Sequence, residues 1–185
     1  MTKKIYATKN EADNAYTSYI KEHITNVQKV WALVKPKLIE HNDYNKIHID
    51  MADDLIKEHD KSKFIVNEFS HYREKFFPCK TDNTNGKDTY CIENDAFDAA
   101  WNRHQKKNPH HWEYWVMGEG KVLTVSFYYL LEMLCDWTAM SVKFNNVPSS
   151  WFKDNKAKMK LSDISVEKIE ELLPFYDEVY EKMCK

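Results

Sequence analysis

Long stretches of this chain carry apolar side chains at the three- and four-residue spacing of an α-helix, and few residues interrupt them. The first stretch runs from residue 11 to about residue 39, and its apolar stripe includes Ile20, Val27 and Val34. The 185 residues contain only 3 glycines and 5 prolines, whereas a sheet with tight hairpins needs more of both. The spacing therefore predicts an all-α protein.

The same spacing predicts further helices over residues 45–58, 65–76, 94–107 and 121–144, and shorter helical segments over residues 151–160 and 165–173. Pro78 ends the third helix, and Asn108-Pro109 ends the fourth. Residues 80–88, KTDNTNGKD, form the clearest predicted loop. In the tail, Ser162 and Ser165 are both candidates for a helix cap.

Length, charge and cysteine spacing limit the class of protein. A chain of 185 residues has the length of one domain, so we expect a single domain over residues 1–185 with its core over about 16–173. A net charge of −2 argues against a duplex nucleic-acid partner. The longest apolar stretch, residues 122–131, is too short to span a bilayer, so no membrane partner is expected. The lack of a CxxC pair and of an apolar signal core predicts a cytoplasmic location.

Histidines and aspartates recur on or next to the predicted inward faces of the helices. In chain order they are His23, His59-Asp60, His104, His110-His111 and Asp136. Imidazole and carboxylate groups bind divalent transition metals, and a two-metal site gathers about six to eight such ligands in one cavity. A buried aspartate needs a metal or a partner, and for Asp136 the partner could also be Arg103 or Lys143.

Each of these residues also has an ordinary structural interpretation. His23 could be a hydrogen-bonded core histidine, and His104 could stack on Trp101. Only one of two neighbouring histidines needs to point inward, because adjacent helical side chains diverge by about 100°. The aromatic residues around Trp112 are most simply core, although Trp112 or Tyr114 could stack on a nucleobase.

The order of these residues resembles the HD superfamily of metal-dependent enzymes. The segment His59-Asp60-Lys61-Ser62-Lys63 is similar to the HDxxK form of its cyclic-dinucleotide phosphodiesterases and di-iron oxygenases, although a WEYW segment replaces the GYP signature of the former. Nearly the whole chain also resembles a family of small phage and bacterial proteins described as a domain of unknown function. That resemblance is carried by HDKSKF at 59–64, EFSHY at 68–72, FDAAWNRHQKKNPHHWEYW at 97–115, EMLCDW at 132–137 and WFKDNKAKM at 151–159.

The resemblance implies an HD-domain-like helical bundle with a buried site for two divalent metals, drawn from Mn, Fe, Co, Mg or Zn. The implied metal ligands are His23, His59, Asp60, His104, His110, His111 and Asp136. Asp60 would bridge the metals and Lys63 would grip an anionic substrate oxygen. Further contacts to substrate are expected from Arg73, Lys106 and Trp112.

The function expected from this pattern is a metal-dependent phosphohydrolase that acts on a nucleotide or another small phosphorylated metabolite. Two alternatives follow from the same residues. One is an HD-type di-iron oxygenase, which the histidine-rich ligand set and the HDxxK segment favour. The other is a non-catalytic, metal-containing binding protein of phage origin.

Overall fold

The computed structural model describes residues 4–41, 46–80 and 94–185. Within these ranges the chain forms seven α-helices and no β-strand, apart from two isolated bridges, which confirms the all-α prediction. The helices are α1 Lys9–Glu40, α2 Lys46–Glu58, α3 Val66–Phe76, α4 Asn94–Lys107, α5 Phe127–Phe144, α6 Pro148–Asn155 and α7 Asp163–Met183. No helix in the described part of the chain is both long and apolar enough to cross a membrane.

The chain divides into two compact units. The first unit comprises Met1–Glu22 and Asp60–Lys107, and the second comprises His23–His59 and Asn108–Lys185. The expectation of one domain stays a prediction, and each unit is described by itself.

The second unit is organised around α5, the most apolar of the helices. Its side chains Leu131, Met133 and Leu134 are fully buried, and α5 packs against both α2 and α7. Residues of the α1 stripe, among them Val27 and Val34, belong to the same core. Burial of apolar surface is the main force that stabilises such a core, at about 25 cal/mol per Å².

The first unit is built on aromatic packing and on the ion pair of a buried arginine. Here α3 packs against α4, and the ring of Tyr72 lies edge-on to Phe97 at 5.2 Å between centroids. The Arg73 guanidinium is 1% exposed, and its Nε lies 3.1 Å from Asp13 Oδ1. The Tyr6 N–H donates to the Pro78 carbonyl over 2.9 Å, which fixes the N-terminal segment to the end of α3.

Several boundaries differ from the sequence prediction. Helix α5 begins at Phe127 rather than at residue 121, because the preceding residues are extended and the Leu123 N–H donates to the Trp115 carbonyl over 2.9 Å. Helix α7 runs to Met183, well past residue 173. Ser162 is its N-cap and accepts the Ser165 N–H, whereas the Ser165 hydroxyl accepts the Val125 N–H. Most of the predicted loop over 80–88 lies outside the described residues, as does Cys91.

Asp53 of α2 is half-buried, with its side chain 38% exposed. Its carboxylate accepts hydrogen bonds from Trp31 Nε1 at 2.7 Å and from Lys35. Burial raises the pKa of Asp53, and these two hydrogen bonds outweigh that effect, so its pKa lies below the usual value. Asp53 therefore ties α2 to α1 within the second unit.

Candidate metal centre

The His59-Asp60 pair follows directly after α2; His59 is the last residue of its segment of the second unit, and Asp60 begins a segment of the first. Asp60 adopts φ 56° and ψ 12°, the left-handed region that a residue with a side chain rarely occupies. Aspartate tolerates this region better than most residues, yet a glycine would adopt it with less strain. A carboxylate kept at a strained position suggests that the side chain itself has a role.

In the second unit, one carboxylate holds two histidine rings. The Glu132 Oε1 atom lies 2.9 Å from His59 Nδ1 and 3.0 Å from His110 Nδ1. All three residues are nearly inaccessible, at 3%, 1% and 2% exposure respectively. A carboxylate oxygen accepts, so both Nδ1–H groups donate to Glu132, and the Nε2 atom of each ring points away from it. This is the arrangement in which a carboxylate orients metal-binding imidazoles.

Two further side chains meet the Nε2 side of the His59 ring. His23 Nε2 lies 3.4 Å from His59 Nε2 and 3.1 Å from Asp136 Oδ1. Asp136 Oδ1 is in turn 3.9 Å from His59 Nε2. One ligand atom each from His59, His110 and Asp136 lie within 4.8 Å of one another. Ligands at about 2.0–2.2 Å from a shared cation are separated by distances of this size, so the cluster fits one divalent ion.

The electrostatics of the cluster favour an anionic Asp136 carboxylate. Burial is the largest single influence on Asp136 and raises its pKa. The hydrogen bond from His23 and the fields of His23, His59 and His110 together outweigh burial and hold the pKa of Asp136 well below its usual range. The partner that the buried aspartate requires is thus His23, and Asp136 is ionised at neutral pH.

The first unit contains a different cluster, in which one histidine lies between two carboxylates. His104 is fully buried, with Nε2 3.2 Å from Asp60 Oδ1 and Nδ1 2.9 Å from Glu68 Oε2. The Ser62 hydroxyl donates to the same Glu68 oxygen over 2.9 Å, and Lys63 donates to Asp60 Oδ2. Burial lowers the pKa of His104, but the two carboxylates outweigh burial and raise it.

The remaining predicted residues have varied surroundings. His111 is half-buried, with its ring 4.4 Å from that of His110, and Trp112 packs half-buried against the core of the second unit. Lys106 is exposed. Arg73 is buried among Asp13, Glu74 and Cys79, so its predicted contact with phosphate stays a prediction.

Sequence reasoning missed the two glutamates that orient the histidines. Glu132 lies four residues before Asp136 in an otherwise apolar helix, so both side chains project from one face, and this spacing was a usable signal. Glu68 likewise lies one turn before the buried Tyr72 on α3. Its 4% exposure shows that it belongs to the inward face.

The buried histidine and carboxylate clusters define an all-α protein with a candidate metal centre. The chain belongs to the family of unknown function DUF5662, whose family model matches residues 12–175. No curated protein and no solved structure matches the chain. Membership of a family of unknown function is therefore confirmed, whereas the resemblance to the HD superfamily stays a prediction.

Proposed function

We propose that this protein is a metal-dependent phosphohydrolase with an HD-like helical architecture, acting on a nucleotide or another small phosphorylated metabolite. One observation carries the proposal: Glu132 accepts both Nδ1–H groups of His59 and His110. A carboxylate that fixes two buried imidazoles in this way serves metal ligation better than it serves packing, because an apolar side chain would fill the same space without desolvating a charge.

The donor set suits a transition metal. His23, His59 and His110 offer nitrogen atoms and Asp136 offers an anionic oxygen, a combination that favours Mn, Fe, Co, Ni or Zn over Ca or Mg. A divalent cation held there would polarise a phosphoryl oxygen and lower the pKa of a bound water molecule. The protein's own contribution is to hold the rings in one tautomer and to supply the balancing charge of Asp136.

The second metal of the predicted pair depends on residues whose roles stay proposals. Asp60 and His104 of the first unit are the proposed additional ligands. The strained backbone of Asp60 and its contacts with Lys63 and His104 support a role for this carboxylate as a ligand. Lys63 would stabilise negative charge on the substrate, since its ammonium group is a compact point charge.

The test begins with elemental analysis of full-length protein purified without added metal, followed by a phosphate-release screen across nucleotides with Mn, Fe, Co or Mg. We expect one or two metal ions per chain, phosphate release from at least one substrate, and loss of both in His59→Ala. Glu22→Ala, an exposed glutamate of α1, is the control and should retain both.

Other results would contradict the proposal in distinct ways. If the purified protein contained no metal and His59→Ala left its stability unchanged, the proposed metal centre would be contradicted. Bound metal with every substrate intact would favour the binding-protein alternative. Bound iron with an oxygen-dependent absorbance would favour the di-iron oxygenase.

A further inference from the structure

Two buried tyrosines of the first unit have hydroxyl groups that no protein group in the described ranges satisfies. Tyr16 on α1 is 1% exposed and Tyr72 on α3 is 5% exposed, and neither Oη atom has a hydrogen-bond partner there. Almost all buried polar groups in proteins are hydrogen-bonded, and an unsatisfied one destabilises the fold. A chain that retains two such hydroxyls, where phenylalanine would fit, points to a ligand that they bind.

Aromatic packing fixes where both rings lie. The Tyr16 ring packs against Phe69 at 5.0 Å and Phe77 at 5.5 Å, and the Tyr72 ring lies edge-on to Phe97 at 5.2 Å. Such contacts leave the rings little freedom to move towards another protein partner. The two hydroxyls are therefore held in place before any ligand arrives.

Both hydroxyls are hydrogen-bond donors at neutral pH. Burial raises the pKa of Tyr16 and of Tyr72, and the nearby carboxylates of Asp60 and Glu68 raise both further. A protonated phenol near a carboxylate is best satisfied by donating its proton to an acceptor oxygen.

Lys63 adds a cationic donor beside Tyr72. Its Nζ atom lies 5.9 Å from the centroid of the Tyr72 ring, and its side chain is 18% exposed, so this part of the unit is in contact with solvent. The negative charges of Asp60 and Glu68 are already engaged by Lys63, Ser62 and His104. The two tyrosine hydroxyls are donors, which match the oxygens of a phosphate group.

We propose that Tyr16 and Tyr72 bind a phosphoryl oxygen of the substrate alongside Lys63, as two specificity-determining residues. This inference rests on the proposed function for the identity of the ligand as a phosphorylated molecule. It adds to that function a preformed phosphate subsite in the first unit, built at the expense of stability in the free protein.

The experiment uses inorganic phosphate as the probe and full-length, metal-free protein, with binding followed by calorimetry and unfolding by circular dichroism. The variants are Tyr16→Phe and Tyr72→Phe, which keep the rings and remove only the hydroxyls. We expect each to raise Tm by about 2 °C or more without phosphate and to weaken phosphate binding about tenfold or more. Tyr176→Phe is the matched control, because the Tyr176 hydroxyl donates to the Leu131 carbonyl over 3.1 Å; it should lower Tm and leave phosphate binding unchanged.

Unchanged phosphate binding in both tyrosine variants would overturn the proposal, whatever happens to Tm. A lower Tm together with unchanged binding would show that the hydroxyls are satisfied by a resident water molecule instead. Wild-type protein that binds no phosphate at millimolar concentration would also overturn it. These outcomes are separable from failure of the proposed function, since metal content and phosphate release are measured on different samples.

Discussion

The two polar clusters use the same residue types in opposite proportions. In the second unit one orienting carboxylate, Glu132, holds the two rings of His59 and His110, whereas in the first unit a single ring, His104, lies between Asp60 and Glu68. The first arrangement directs two Nε2 atoms away from the orienting carboxylate, whereas the second raises the pKa of the single ring. Composition alone therefore does not define a metal site, because the ratio of carboxylates to imidazoles decides how many ring nitrogens face a carboxylate.

The largest effect is expected from Glu132→Ala. This change leaves two buried Nδ1–H groups without an acceptor, so the metal-free protein should lose about 4 kcal/mol of unfolding free energy. Metal affinity should fall roughly 10- to 100-fold, as when other orienting carboxylates are removed. Urea denaturation and competition titration with zinc measure the two quantities, and Glu22→Ala is the control. Unchanged zinc affinity in a folded Glu132→Ala protein would show that Glu132 does not orient ligands.

The second effect tests the cluster of the first unit. His104→Ala removes the partner that lies between two buried carboxylates, and the metal-free protein should lose about 3 kcal/mol. His71→Ala, on the same unit and half-buried, should lose less than about 1 kcal/mol. If wild type and His104→Ala were equally stable in urea, the His104 ring would not be what stabilises the buried carboxylates of Asp60 and Glu68.

A smaller effect distinguishes the contribution of the Asp60 backbone conformation to stability from that of its side chain. Both Asp60→Ala and Asp60→Gly remove the carboxylate, but only glycine adopts φ 56° without steric cost. The glycine variant should be more stable than the alanine variant by about 1 kcal/mol, while both lose phosphate release. If alanine and glycine gave the same denaturation midpoint, the left-handed conformation at residue 60 would be contradicted.

The smallest effect concerns Asp53, a carboxylate with a lowered pKa but no place in either cluster. Its contribution to stability is present above its unfolded-state pKa of about 4 and is lost as the pH falls through its lower folded-state pKa. Its side chain is 38% exposed, so the contribution should be below about 1 kcal/mol and should shrink in high salt. Asp53→Asn should remove this acid-side dependence, measured as Tm between pH 2 and 6. If Asp53→Asn kept the full pH dependence of Tm, that dependence would come from other carboxylates.

The sequence predicted helix boundaries correctly where residues that stop a helix mark them. Helix α4 spans the predicted residues 94–107, because Asn108-Pro109 stops it. The start of α5 was wrong, because hydrophobic spacing does not distinguish an extended apolar segment from a helical one. Ser162 rather than Ser165 caps α7, a choice that depends on the tertiary contact between Ser165 and Val125.

The candidate site was predictable only in its ligand types. The sequence indicated that Asp136 needs a partner, but the identity of that partner, His23, depends on packing between helices distant in the chain. Glu132 and Glu68 were missed because a glutamate on a helix is usually solvated, and only tertiary structure shows that these two are buried. The hydrophobic pattern gives no sign that residues 59 and 60 belong to different compact units.

The shared acceptor Glu132 also has a consequence for mutational robustness. Where each histidine is oriented by a separate residue, one substitution disturbs only one histidine. Here a single substitution at position 132 would leave both His59 and His110 without their shared acceptor, so the candidate centre would lose the orientation of two rings in one step. Selection on position 132 should accordingly be as strict as selection on the histidines themselves.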